Sequence, residues 1–369
     1  MNRRTLLKGA AAGSTLMFSM RLGVHHSRAQ APSYVAELIQ EFTTFKEESY
    51  VFASDGIAVA VTSDDTILGT AVVDGRTSPV IWDLSGTQSV LDTGDIPFGG
   101  VWNLFVNKSG MIAGSFSEEP KITSRGFIVV WDEGIPAVLE ASDPAKSAVV
   151  LGLNDDGVIV GGTASVATRW IDGKMEQLPV PAGAETSAVV AVARSGDGYG
   201  WARTNSDGIV GLPWIWRLDG TIGDLSLPES LLGDPAVEIA GLRYPALYDD
   251  GGYVVVIGQA IDDVYQSDAF VFDGIGFTPL PTLALDTHSS VSFAPSAAEI
   301  YGTITGVGES TGPTVWIDKQ PTLLRGQVTV PPGTNLGTII GATSTGELVA
   351  RTSPFGDATI PGTLLLRPA

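Results

Sequence analysis

A polar turn, a short apolar segment closed by a small residue, a gap and then an aromatic strand recur along this chain. That recurrence limits the fold more than any other feature of the sequence. The aromatic member aligns most easily: "VIWD" at Trp82, "VVWD" at Trp131, "TRWID" at Trp170, "WIWRLDG" at Trp216, "FVFDG" at Phe272, "TVWID" at Trp316 and "LLLRP" at Leu365. Successive anchors lie 49, 39, 46, 56, 44 and 49 residues apart, about 47 on average. Self-similarity at such a period marks a repeat architecture, in which each unit buries its apolar face only against its neighbours. Seven units of this size fill residues 32 to 369 and leave no room for a second domain.

The front half of each unit matches as well, as in "TSDDTILG" to Gly69, "NKSGMIAG" to Gly114, "NDDGVIVG" to Gly161 and "TSTGELVA" to Ala350. Alternating apolar residues such as Val158 and Val160, bounded by Asn, Asp and Gly, are strand-turn-strand chemistry. A β-rich run precedes each turn, for example "SAVVLGL", and a short fourth segment follows each aromatic strand, for example "MEQLPV". Four strands per unit predict an all-β fold, a seven-bladed β-propeller of four-stranded antiparallel blades in a single domain over 32–369. The last unit stops at its third strand, "GTLLLRPA". A strand from residues 32–52 is therefore expected to complete it and close the ring, with a helix over "VAELIQEF" as the competing reading.

Residues 1–31 stand outside the repeats. Arg3 and Arg4 lead a weakly apolar run from Gly9 to Met20, then come Arg21, Arg28 and the small-residue end Ala29-Gln30-Ala31. About twelve mildly apolar residues fall short of the roughly twenty that cross a bilayer core. The segment resembles a cleaved twin-arginine export signal, which implies the twin-arginine machinery as a partner and a periplasmic or extracellular protein without a transmembrane segment after cleavage. It holds five of the 21 basic residues and none of the 41 acidic ones, leaving 16 against 41. So acidic a surface repels nucleic acid and anionic membranes. With no Cys in the chain and only His288 beyond the signal, disulfides, thiolate zinc and His-rich metal cages are excluded. The expectation is no cofactor, with calcium the one metal that the supply of Asp, Glu and backbone oxygens permits.

The repeat "N-D-x-G-x-V-x-G", a gap, an aromatic strand ending "W-D-x-G" and the terminal "LLLRP" resemble the HAF-repeat family of bacterial extracellular proteins. The namesake His-Ala-Phe stands here as Asp268-Ala269-Phe270, the pattern of a divergent member. The resemblance implies a secreted propeller-like fold and carries over no catalytic residue.

In a four-stranded meander the first and third turns share one face. The second turn and the crossover to the next blade share the other. The short turns with Asp155, Asp156, Asp249 and Asp250 fall on the first face and read as turn residues, since none sits in a complete calcium loop. The aromatic anchors read as blade packing rather than a ring of sugar-binding tryptophans. Length varies on the opposite face, where the gap from small residue to anchor runs from 9 (Gly161 to Trp170) to 17 (Gly114 to Trp131). Function in repeat folds sits where loops differ. The loops there carry the candidate ligand-binding residues: Glu118, Glu119 and Arg125 in the second repeat, Arg203 and Asp207 in the fourth, Asp262, Asp263 and Asp268 in the fifth, then Asp286 and His288.

The leading expectation is a non-catalytic, monomeric binding or interaction scaffold with a glycan or protein ligand. The alternative is a carboxylate-dependent hydrolase or lyase, calcium-assisted, at the channel mouth, because two carboxylates at fixed separation act as acid and base. A serine triad built on His288 lacks a Gly-x-Ser-x-Gly elbow. An enzyme would bring two carboxylates, or His288 and a partner, within a few ångströms of each other.

Overall fold

In the computed structural model of the protein, the third repeat forms four strands, Ala148–Leu153, Ile159–Thr163, Val166–Ile171 and Lys174–Gln177, each antiparallel to the one before. Its first turn is made by Asn154 to Gly157: the Asn154 side-chain carbonyl accepts from the N–H groups of Asp156 and Val158, and Gly157 takes the left-handed φ of 78° that the reversal requires. The residues described are 33–41, 56–119, 125–139, 147–203, 212–225, 238–247, 253–261, 264–272, 277–284, 287–296, 298–306, 311–352 and 362–369.

Six sheets have this four-stranded antiparallel order and span residues 56–90, 100–139, 148–177, 186–224, 238–279 and 288–323, here blades I to VI. Their first strands lie side by side in chain order. Leu336–Ala342 follows His288–Phe293 and packs against Gly56–Val61. The first strands are thus innermost, the radial arrangement of a β-propeller.

The expectation of seven four-stranded antiparallel blades is corrected to six. The last repeat lies in a five-stranded mixed sheet ordered Val328–Thr329, Tyr34–Glu41, Gly362–Pro368, Leu348–Thr352, Leu336–Ala342. The extra strand comes from the linker after blade VI, where Val328 and Thr329 run parallel to Tyr34 and Val35 and the Tyr34 N–H donates to the Gln327 carbonyl at 2.7 Å. Residues 34–41 are extended and antiparallel to Gly362–Pro368, not helical. Tyr34 and Ala36 are buried while Val35 and Glu37 are exposed, and that period of two suits a strand. The Tyr34 phenol bonds Tyr301, which donates to Glu299; burial above all holds both phenols above their ordinary pKa.

The core lies between sheets. Trp82, Trp131, Trp170, Trp216 and Trp316 are all essentially buried, each at the end of a third strand and packed with residues of the preceding sheet. Three of these indoles also donate to a carbonyl two residues beyond the preceding blade's last strand: Trp131 to Asp92, Trp216 to Pro179 and Trp316 to Pro281, the last two at 2.8 Å. One large side chain per repeat therefore fills the gap and fastens the crossover.

In four repeats the small residue has an equally local cause. Opposite Gly161 the first strand bulges between Val150 and Gly152, and a Cβ on Gly161 would lie 1.9 Å from the Val149 carbonyl oxygen. The same approach of backbone occurs at Gly69, Gly200 and Gly302, beside bulges at 58/60, 189/191 and 291/293. Bulges sharpen twist and are retained as features of a fold.

Candidate functional site

The two faces of the propeller use their polar residues differently. On the first-turn face, turns are joined from blade to blade. Asn107 Nδ2 donates to the Asn154 carbonyl at 3.0 Å, and Asn154 Nδ2 donates to the Ala193 carbonyl at 2.8 Å. The Lys108 N–H donates to Asp155 Oδ1 at 3.1 Å; across the seam between the last sheet and blade I, the Ser344 N–H and hydroxyl donate to Asp65. Arg351 crosses that seam too, its Nε donating to the Ala58 carbonyl at 2.6 Å, and desolvation lowers its pKa. These turns surround a cavity of about 480 Å³ lined by Ser63, Asp65, Lys108, Asp155, Arg194 and Ser344 among others. Asp155 is thus a turn residue and also an inter-blade acceptor.

On the crossover face, ten residues were expected. Four of them, Asp207, Asp262, Asp263 and Asp286, lie outside the described residues. Glu118 and Arg125 form an exposed ion pair at 3.2 Å, closed by the Glu118 N–H donating to the Arg125 carbonyl; Glu119 is exposed beside them. Arg203 stacks over Trp201 on its own strand, 4.6 Å from the ring centre, with a buried Nε that has no hydrogen-bond partner. Asp268 and His288 meet: Nδ1 of His288 lies 3.3 Å from Asp268 Oδ1, with side chains 23% and 35% exposed for His288 and Asp268. Of the expected residues that are described, the structure brings together Glu118 with Arg125 and Asp268 with His288.

The register explains the meeting. Asp268 is in the third strand of blade V, and His288 opens the first strand of blade VI. One residue further on, the Ala269 N–H donates to Ser289 Oγ at 3.0 Å, and between blades III and IV the Ala167 N–H donates to Ser187 Oγ at 3.0 Å. The positions matching Asp268 and His288 in that second pair are Val166 and Thr186. The blade junction therefore forms without an ion pair at this slot. With Nδ1–H turned to the carboxylate, Nε2 carries the lone pair and can accept a proton.

Sequence reasoning missed Trp102. It lies in the first strand of blade II and is 40% exposed, whereas the five anchor tryptophans are buried. Its signal was legible as an aromatic residue in a strand position that other repeats fill with aliphatic or small ones.

Among the described residues no three His, Asp or Glu side chains converge as metal ligands. No protein-family model matches the chain. No curated protein matches it either. Solved structures do share its fold. The oligogalacturonate lyase of Vibrio parahaemolyticus is 11% identical with a TM-score of 0.51, over 90% of this chain and 97% of that one. An oligogalacturonate lyase in complex with manganese is 10% identical with a TM-score of 0.51, over 92% and 98%. The β-propeller domain of the Trilobed protease of Pyrococcus furiosus is 12% identical with a TM-score of 0.49, over 81% and 91%. At such identities the likeness concerns the fold alone.

Proposed function

We propose that the protein is an exported propeller hydrolase or lyase whose site lies on the crossover face, with His288 as general acid–base and Asp268 as the group that orients it. The observation that carries this reading is the 3.3 Å approach of His288 Nδ1 to Asp268 Oδ1 at a slot where another blade junction holds Val166 and Thr186. A carboxylate on Nδ1 selects the tautomer and leaves Nε2 partly open to a bound molecule. The two lyases of similar architecture add support only in that such a scaffold accommodates eliminations. The test is a screen of residues 32–369 against ester, lactone, glycoside and uronate substrates, repeated with His288→Gln and Asp268→Asn. General acid–base catalysis contributes about 100-fold to 10,000-fold, so both variants should lose that much rate and keep the wild-type melting temperature. Undiminished turnover by His288→Gln would sink the assignment.

The second reading, a binding scaffold, is favoured by the recurrent Ala269–Ser289 bond beside the pair, which makes the slot a blade junction first. Under it, folded wild-type protein turns over none of these substrates.

We also propose that the five-stranded sheet closes the ring, with Tyr34–Glu41 as the closing strand. Supporting this, Arg367 of the last strand pairs with Glu37 of the first and, at 2.8 Å, with Glu347. A melting temperature unchanged by removing residues 32–50 would refute closure. Export by the twin-arginine route and divergent HAF-repeat membership complete the proposal; replacing Arg3 and Arg4 by Lys should then block export.

A further inference from the structure

We infer that Trp102 is the stacking platform of a saccharide-binding site on the crossover face of blade II, selective for neutral sugars. The inference starts from a displaced bulge. In blades I, III, IV and VI the first strand bulges beside the small residue of the second. In blade II it bulges between Val101 and Asn103 instead, so that Trp102 is the extra, unpaired residue. The consequence is visible at Gly114, where a Cβ would meet the Leu104 side chain at 2.8 Å and no backbone atom closer than 3.3 Å, unlike the 1.9 Å at Gly161. Bulges next to functional sites re-aim a side chain, and this one leaves an indole 40% exposed where the five anchor tryptophans are buried.

The surroundings are made for that ring. Gly126 lies under it: a Cβ there would sit 3.2 Å from Trp102 Cζ3 and 3.1 Å from the Ala148 carbonyl oxygen. Arg125, next in the chain, pairs with Glu118 at 3.2 Å, and Glu119 is exposed at the same rim. A flat apolar face edged by hydrogen-bonding groups matches a pyranose ring, which offers a C–H face and hydroxyls around its edge. Among the described residues two carboxylates stand against one guanidinium at this rim, and the chain carries a net charge of −20, which disfavours an anionic sugar. The site requires binding alone and is independent of whether His288 is catalytic.

The test is a fluorescence titration of residues 32–369 with cellohexaose and xylohexaose, and with trigalacturonate as the anionic control. A saturable change with a neutral oligosaccharide is expected, weakened at least tenfold in Trp102→Ala and less in Trp102→Phe. Gly126→Ala, which crowds the indole without removing it, should weaken binding too, and melting curves confirm that each variant is folded. Absence of saturable binding to either neutral oligosaccharide, full affinity in folded Trp102→Ala, or tighter binding of trigalacturonate would overturn the assignment.

Discussion

Asp155 on the first-turn face and Asp268 on the crossover face are both half-buried carboxylates in a repeat, yet their partners differ in kind. Asp155 accepts a backbone N–H from the neighbouring turn, a bond whose counterpart recurs at Asp65 across the seam. Asp268 faces a titratable ring that no other described junction repeats. A recurring partner marks a role in holding blades together; a unique one, in a fold assembled from copies, marks a residue free to serve something else.

Substitutions on the two faces should therefore separate stability from function. The largest loss is expected inside the shared core, where Trp216→Ala should cost about 3–5 kcal/mol in a denaturant melt, the usual range for a buried aromatic. Gly161→Ala should follow, at about 1–3 kcal/mol as for overpacking, because the added carbon meets backbone that cannot rotate away. Asn154→Ala should cost about 1–3 kcal/mol by leaving the Ala193 carbonyl and the turn N–H groups without their partner. On the other face His288→Ala should stay within about 1 kcal/mol, since a partly exposed pair at 3.3 Å contributes little. If His288→Ala destabilised as much as Asn154→Ala, the contrast between the faces would collapse.

The smallest effect sharpens the comparison by pH. Hydrogen bonds, chiefly from Thr62, hold the Asp64 carboxyl below its ordinary pKa. A depressed carboxylate stabilises the fold fully above the unfolded pKa of about 3.9 and loses that contribution as pH falls through the folded value. Asp64→Asn should thus matter at neutral pH, by less than about 0.5 kcal/mol as for surface sites, and should make no difference in strong acid.

Much of this was legible because the repeat writes the same physics many times. The anchors Trp82, Trp131, Trp170, Trp216 and Trp316 and the glycines Gly69, Gly161, Gly200 and Gly302 each answer one steric demand of blade packing, so comparing copies exposes them. What escaped depends on register between copies. Asp268 and His288 could be placed on one face from the meander, but their approach needs the third strand of blade V set against the first of blade VI. Trp102 escaped because a bulge displaced within a strand changes no residue count. The strand Val328–Thr329 escaped because its two residues carry no periodicity.

The pairing of Tyr34–Glu41 with Gly362–Pro368 joins segments more than 300 residues apart. During synthesis the earlier of these strands leaves the ribosome long before its partner exists, and loop closure over such a span is slow as well as late. Until residues 362–368 have been made that strand has no antiparallel neighbour, so this one sheet reports whether synthesis has passed them.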